Sequence, residues 1–344
     1  MAFERPACTL VESPCHRPSP EVPLTSSPVP ELTEPVVLKV AAVHRPSRAD
    51  LPTLALGVLG VGTSGPIIAA TRAPSLAIAF WRNVFGTAVL APYALLRHRA
   101  EFRALSRRLW LLALGSGCCL GLHFSTWTPS LTMTTVASAT AFAATQPVFA
   151  ALIARLRGEH VARRGWLGIG IAVLGVGALS GVDLTASVHA FLGDLLALTA
   201  AVLAAIYMTL GSKVRQAVSL TPYVTICYAT ASATIAVMAA LTGEHLIGFG
   251  SEAWLKILAL TAGAQLLGHT MFNRALKTTS ATVVSVVILL EVPIATLLAA
   301  VWLHQIPSLW ALPGALLILA GLVAVSTAGG AGPGAGQSPG QDVG

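Results

Sequence analysis

Two charged side chains interrupt long apolar runs and are the strongest candidates for chemistry in this sequence. Glu291 is the only Asp, Glu, Lys or Arg between residues 278 and 327. Arg82 is the only one in the apolar run from residue 73 to residue 96. A charge inside a bilayer is costly, so such residues usually face a cavity or a partner. Glu291 suits proton exchange, or it is a hydrogen-bonded glutamate that only holds helices together. Arg82 suits pairing with a substrate carboxylate or with Glu291, or it is a structural anchor that snorkels outward or binds backbone carbonyls.

Two histidines, His123 and His269, also lie in apolar runs. Histidine titrates near physiological pH, which suits a proton relay, and the alternative is that each makes an interhelical hydrogen bond. No carboxylate or cysteine accompanies them at the spacing that metal ligands need, so neither a metal site nor a cofactor is expected.

Two prolines stand next to polar residues inside apolar runs. Pro147 follows Gln146, and Pro293 lies two residues after Glu291. A proline within a helix removes one backbone hydrogen bond and frees a carbonyl. The two sites are therefore candidates for polar helix kinks that contact a substrate and face each other, or for prolines that only shape packing.

Three further polar or aromatic residues, Trp127, Tyr207 and Asn273, are candidates for lining a cavity. For Trp127 the alternative is a place in the aromatic belt at a membrane interface. Glycines four residues apart are expected to permit close helix contact. These are Gly117 with Gly121 and Gly177 with Gly181.

The composition decides the class of protein that must position these residues. The 344-residue chain is 55% hydrophobic and only 10% charged, with a mean hydropathy of +0.76. Soluble domains carry about 25% charged residues. The composition therefore excludes a soluble enzyme, a nucleic-acid-binding domain and a disordered regulator, and it indicates a polytopic membrane protein.

Charge-free runs locate the membrane spans, each of which needs about 20 apolar residues. They predict an all-α protein with ten transmembrane helices, with one turn at residues 127–130. The predicted helices are 51–70, 74–96, 109–127, 132–154, 164–181, 192–212, 219–241, 254–274, 279–302 and 308–327. Residues 1–49 are Pro-rich and residues 328–344 Gly-rich, so both are predicted to be disordered tails.

The loops indicate an orientation. Alternate loops are basic, at residues 97–108, 155–164, 213–215 and 274–277, and these basic residues, Arg215 among them, are expected to set the orientation. The other loops hold only Arg72 and Lys256 beside acidic residues. Basic loops face the cytoplasm. The pattern predicts a multi-pass protein of the cell membrane with both termini cytoplasmic.

An internal repeat relates the two halves of the chain at an offset of 146 residues. The matched pairs are His123 with His269, Pro147 with Pro293, Gly168 with Gly314, and Gly175 with Gly321. The repeats, residues 50–184 and 185–327, would each hold five helices. Since five is odd, the second repeat enters the membrane from the opposite side. Such inverted repeats are typical of secondary transporters, with a substrate site near the bilayer midplane.

The sequence resembles the ten-helix EamA-type members of the drug/metabolite transporter superfamily. The resemblance covers residues 51–327 and is carried by Ala79-Phe80-Trp81-Arg82, Gln146-Pro147-Val148, Arg157-Gly158-Glu159 and Glu291-Val292-Pro293. The chain departs from the family at Gln305, where the second repeat often carries a glutamate that would match Glu159. The resemblance implies a transporter of small metabolites, often an exporter, and not an enzyme.

These observations together predict a secondary active transporter for a small metabolite such as an amino acid. Coupling to protons is a further part of this hypothesis. The expected partners of the transporter are that substrate, the lipid bilayer, protons and a second copy of the chain in a homodimer. The alternatives are an intramembrane enzyme and a channel-like protein. Against the enzyme, the sequence has neither HExxH nor GxSxG. Against the channel, it has no repeated filter.

Overall fold

The computed structural model describes residues 50–158, 161–279, 284 and 287–328. The tails predicted at residues 1–49 and 328–344 lie outside the described residues except for Ala328, which is the last residue of the last helix. Glu159 also lies outside the described residues.

The described residues are helical, without a strand among them. The long helices, numbered in chain order, are α1 (Asp50–Ala70), α2 (Ser75–Arg97), α3 (Arg107–Met133), α4 (Val136–Leu156), α5 (Arg163–Ala186), α6 (Val188–Ala217), α7 (Leu220–Thr242), α8 (residues 251–275), α9 (Glu291–Leu303) and α10 (Ala311–Ala328). A short helix, Arg99–Ala104, lies between α2 and α3. Among them, α1, α3, α4, α6 and α7 are long and apolar enough to cross a membrane, and α9 and α10 are shorter apolar helices. The prediction of an all-α polytopic protein is confirmed.

The turn between α3 and α4 lies later than the sequence suggested. We expected it at residues 127–130, but α3 continues through Pro129 to Met133. Thr135 then caps α4, because its hydroxyl accepts a hydrogen bond from the Ser138 N–H at 3.1 Å. A proline is tolerated inside a transmembrane helix where neighbouring groups satisfy the freed backbone. The Thr135 cap, not the proline, therefore sets the boundary.

The packing of the helices follows the repeat. The 146-residue offset maps α1–α5 onto α6–α10 in order. Helix α3 packs against α6, and the equivalent pair, α8 and α1, also packs together. Helices α2 and α7, which are equivalent to each other, are in contact, as are α5 and α10. This crosswise pattern is that of a twofold axis between two inverted five-helix repeats.

The glycines at the α5–α10 contact show the same axis at atomic detail. A Cβ added to Gly168 would lie 2.6 Å from the carbonyl oxygen of Gly321, and one added to Gly175 would lie 2.7 Å from that of Gly314. Gly168 is the repeat equivalent of Gly314, and Gly175 that of Gly321. Gly168 therefore contacts the repeat equivalent of Gly175, and Gly175 contacts the repeat equivalent of Gly168. Only a hydrogen atom fits as the side chain at these positions.

Of the two glycine pairs predicted to permit close helix contact, Gly117 with Gly121 does so and Gly177 does not. Gly117 and Gly121 of α3 do permit close contact with α7, since an added Cβ would lie within 2.9 Å of the Cys227 or Ala231 carbonyl oxygen. The prediction for Gly177 is wrong, because this residue is exposed and an added Cβ would meet nothing within 4 Å. The close-contact glycines of α5 are spaced seven residues apart, on the face that packs against α10.

Candidate functional site

A cavity lies between the two repeats, with an empty volume of about 550 Å³ including its opening. Helices α1, α3 and α4 of the first repeat contribute to its wall, together with α6, α8 and α9 of the second. Six of the eight candidate residues line it: His123, Trp127, Gln146, Tyr207, His269 and Glu291. Arg82 and Asn273 lie outside the lining but contact its surroundings.

Glu291 is the first residue of α9 and follows a turn at Leu289 and Leu290. The side chain is half-buried on the cavity wall and interacts electrostatically with Arg82. The two side chains do not form a salt bridge in this structure. An acid placed between a cavity and a buried cation has the surroundings that proton exchange requires.

Arg82 is completely buried, so it does not snorkel to the membrane interface. Its Nε donates a hydrogen bond to Gln265 Oε1 at 2.9 Å, and the amide nitrogen of Gln265 donates to Asn83 Oδ1 at 2.9 Å. The guanidinium carbon lies 4.3 Å from the centre of the Phe124 ring. Both terminal nitrogens are buried without a hydrogen-bond partner. Arg82 is thus anchored through Nε to a side-chain amide, and not to the backbone carbonyls that the anchoring alternative named.

The two repeat-equivalent histidines meet at the cavity, with ring centroids 6.5 Å apart. His123 Nδ1 lies 2.9 Å from the carbonyl oxygen of Ala200 and must be the donor, because a carbonyl only accepts. His269 Nδ1 is buried without a hydrogen-bond partner. One histidine is therefore oriented by the backbone, while the other has a ring nitrogen free for a proton or a ligand.

Asn273 supports the cavity wall without reaching the cavity. The hydroxyl of Tyr207 donates to Asn273 Oδ1 at 2.9 Å, and Nε of Arg215 donates to the Asn273 carbonyl oxygen at 2.9 Å. Arg215 is buried at the end of α6, although its position in the sequence suggested a loop residue that only sets orientation. These contacts hold Tyr207 at the cavity.

Trp127 is buried and lines the cavity, so its ring does not face lipid as a residue of the aromatic belt would. Its ring stacks on that of His123, with centroids 6.5 Å apart and planes inclined by 10°. The expectation of an interfacial tryptophan followed from the wrongly placed turn. Because α3 extends to Met133, Trp127 lies almost two turns inside the helix.

The two prolines lie where helices begin again, and they do not bend continuous helices. Helix α4 is interrupted at Ala144 and Thr145, and its second part begins at Gln146. Pro147 and Pro293 both fall in the first turn of a helical segment, where the missing N–H has no partner to lose. Pro147 is buried and Pro293 exposed, and the polar neighbours Gln146 and Glu291 line the cavity instead. Interrupted helices are a feature of transporter binding sites.

The sequence analysis missed Gln265, the residue that links Arg82 and Asn83. It lies in a π-helix, Thr261–His269, within α8, and its carbonyl oxygen accepts a hydrogen bond from the Tyr228 hydroxyl at 3.0 Å. The signal was a single amide side chain in a charge-free run. Short π-helices occur frequently at functional sites. Ser64 and Phe272 also line the cavity and were not singled out.

Among residues 50–158, 161–279, 284 and 287–328, no three His, Cys, Asp or Glu side chains are grouped so as to hold a metal ion. The side chains that line the described cavity can exchange protons and form hydrogen bonds. They include Glu291, His123, His269 and Tyr207.

Two inverted repeats of apolar helices around a cavity with polar and apolar lining residues define a multi-pass membrane protein. A family model described as the EamA-like transporter family matches twice, over residues 51–181 and 191–327. The chain belongs to this family, which is of the drug/metabolite transporter type and consists of transporters and not of enzymes. The predicted resemblance is thus confirmed.

The comparison with solved structures agrees on the fold. The alignment with one crystal structure covers 80% of this chain and 95% of the chain in that structure, with a TM-score of 0.57 and 20% sequence identity. At this identity the likeness shows the fold alone. A search of curated protein sequences found no match to this chain.

Proposed function

We propose that this protein is a secondary active transporter that exports a small metabolite, such as an amino acid or a related compound, by alternating access. The observation that carries the proposal is the cavity between the inverted repeats. It is lined by polar residues of both repeats and lies where α4 and α9 begin again beside Gln146 and Glu291. In folds of this kind the repeats rock against each other around a fixed central site.

Proton coupling is part of the proposal. Glu291 is the acidic residue among those that line the described cavity. His123 and His269, whose ring centroids lie 6.5 Å apart, also line the cavity and supply further groups that bind and release protons. A carboxyl that must be neutral in one state and charged in another would link proton movement to the rocking of the repeats.

The location follows from the charges of the loops. Arginine-rich loops after α2 and α4 support a place in the cell membrane with these loops and both termini on the cytoplasmic side. Homodimer formation stays a prediction from the sequence.

Reconstitution into liposomes tests the function. Labelled amino acids and other small metabolites would be screened for flux with and without a pH gradient. The proposal expects saturable flux of at least one compound and a response to the gradient. Unsaturable conductance would instead indicate a channel, and conversion of a lipid or peptide without flux would indicate an enzyme.

A further inference from the structure

The two terminal nitrogens of Arg82 are an unused binding group. The side chain is fully buried, and only its Nε has a hydrogen-bond partner. A guanidinium carries five N–H donors, four of them on the two terminal nitrogens. A buried charge without a partner is strongly destabilising. These nitrogens can therefore accept a ligand as their partner.

Arg82 is held rigidly beside the cavity. Gln265 fixes its Nε, and Asn83 in turn fixes Gln265. The face of the Phe124 ring covers the guanidinium. The same ring contacts two cavity-lining residues, His123 at 5.0 Å and His269 at 5.2 Å between centroids. One aromatic ring thus separates the guanidinium from side chains that line the cavity.

The shape of the free group defines its ligand. With Nε occupied, the two terminal nitrogens can form parallel hydrogen bonds to the two oxygens of a planar oxyanion. A neutral amide or ester offers one acceptor and no charge. The positive electrostatic effect of Arg82 also reaches His123, His269 and Glu291, so an anion in the cavity is attracted toward it.

We propose that the cavity binds substrates that carry a carboxylate, and that this carboxylate pairs with the terminal nitrogens of Arg82 after the Phe124 ring moves aside. Gln265 is the positioning residue that aims the guanidinium. The inference rests on the proposed transport function, which it deepens by naming the substrate class. The competing partner for Arg82 is Glu291, which would swing from the cavity wall to form an ion pair.

Binding measured without transport tests the proposal. The purified full-length protein in detergent is titrated with matched pairs, leucine against leucinamide and phenylacetate against phenylacetamide, and the thermal shift gives each Kd. We expect each carboxylate to bind at least about tenfold more tightly than its amide. In Arg82→Gln this ratio should fall to about one. In Arg82→Lys it should be intermediate, because an ammonium is a point charge without the planar fork.

Two further variants separate positioning from folding. Gln265→Leu removes the acceptor that aims the Arg82 guanidinium but keeps its charge, so the carboxylate-to-amide ratio should fall about threefold or more without reaching one. The matched control is Arg72→Gln, which removes an exposed arginine of the α1–α2 loop and should leave the ratio unchanged. Variants that elute as monodisperse protein are compared.

The outcomes are distinct. Equal binding of carboxylates and amides, or a ratio that Arg82→Gln does not change, overturns the proposal and assigns Arg82 to Glu291. Carboxylate binding that depends on Arg82, without flux of any compound in liposomes, supports the subsite and refutes the transport function. Flux without a carboxylate preference refutes the subsite and leaves the transport function intact.

Discussion

The glycine contact between α5 and α10 supports a prediction whose size follows from the structure. In Gly175→Ala the new Cβ would lie 2.6 Å from the backbone nitrogen of Ile318 and 2.7 Å from the Gly314 carbonyl oxygen, whereas ordinary contacts begin at 3.4 Å. The obstructing atoms are backbone, so no side chain can rotate away. Helix α10 must move by several tenths of an ångström, and overpacking of this kind costs about 1–3 kcal/mol.

The same helix supplies the control. Gly170 is exposed, and an added Cβ would meet nothing within 4 Å. Gly170→Ala should therefore be neutral or stabilising by up to about 1 kcal/mol, the helix propensity difference. Thermal unfolding in detergent should give a melting temperature for Gly175→Ala that is roughly 4–10 °C below that of Gly170→Ala.

The twofold axis adds a test by double substitution. Gly168 and Gly321 share one contact, so once the helices have separated for the first alanine the second should cost little. The double variant should thus be less destabilised than the sum of the single variants. Gly168→Ala combined with Gly121→Ala, which acts at the α3–α7 contact, should be additive. Equal damage from Gly170→Ala and Gly175→Ala would refute the assigned packing.

Two further predictions concern polar contacts. Glu101, in the short helix Arg99–Ala104 between α2 and α3, accepts hydrogen bonds from Ser219, the residue before α7. The Ser219 hydroxyl donates at 2.6 Å and the Ser219 N–H at 2.5 Å. Partial burial raises the pKa of Glu101. The hydrogen bonds from Ser219 and the contact with His98 lower the pKa by more than burial raises it, so it lies below its usual 4.5. The stabilisation is therefore present above pH 4.5 and is lost as the pH falls through the lowered pKa. Glu101→Gln should reduce the melting temperature at neutral pH, with a difference from wild type that shrinks under acid, and a constant difference would contradict this assignment. Separately, Tyr207→Phe leaves Asn273 without its side-chain partner and should cost about 1–3 kcal/mol of stability. Adding Asn273→Leu to this variant should recover part of the lost stability, as measured by thermal unfolding. If the second substitution instead lowers stability by as much again, the pairing of Tyr207 with Asn273 is refuted.

The helices and their pairing followed from the sequence because both depend on coarse patterns. Spans appear as charge-free runs, and the twofold axis appears as equal spacing of glycines, prolines and histidines. The offset paired His123 with His269 in the sequence, and in the structure both line one cavity with ring centroids 6.5 Å apart. A repeat constrains distance, since equivalent residues near the axis must meet.

The sequence could not reveal where local geometry overrides a pattern. Pro129 suggested a turn, yet the chain stays helical until the Thr135 cap, and this moved Trp127 from an expected interface into the cavity. Gln265 escaped notice because one amide among apolar residues has no periodicity, and the π-helix that directs it depends on tertiary contacts. Arg215 looked like a loop charge, although its target is a backbone carbonyl of α8.

The most direct test of the central claim is proton-coupled flux through the cavity beside Glu291. The experiment reconstitutes three proteins and compares their flux with and without a pH gradient: the wild type, Glu291→Gln and Glu252→Gln. Glu252→Gln is the control, because the Glu252 carboxyl is exposed at the start of α8. The account predicts that wild type and Glu252→Gln respond to the gradient, whereas Glu291→Gln folds, inserts and shows no gradient-driven flux. Gradient-driven flux at the wild-type rate in Glu291→Gln would contradict it.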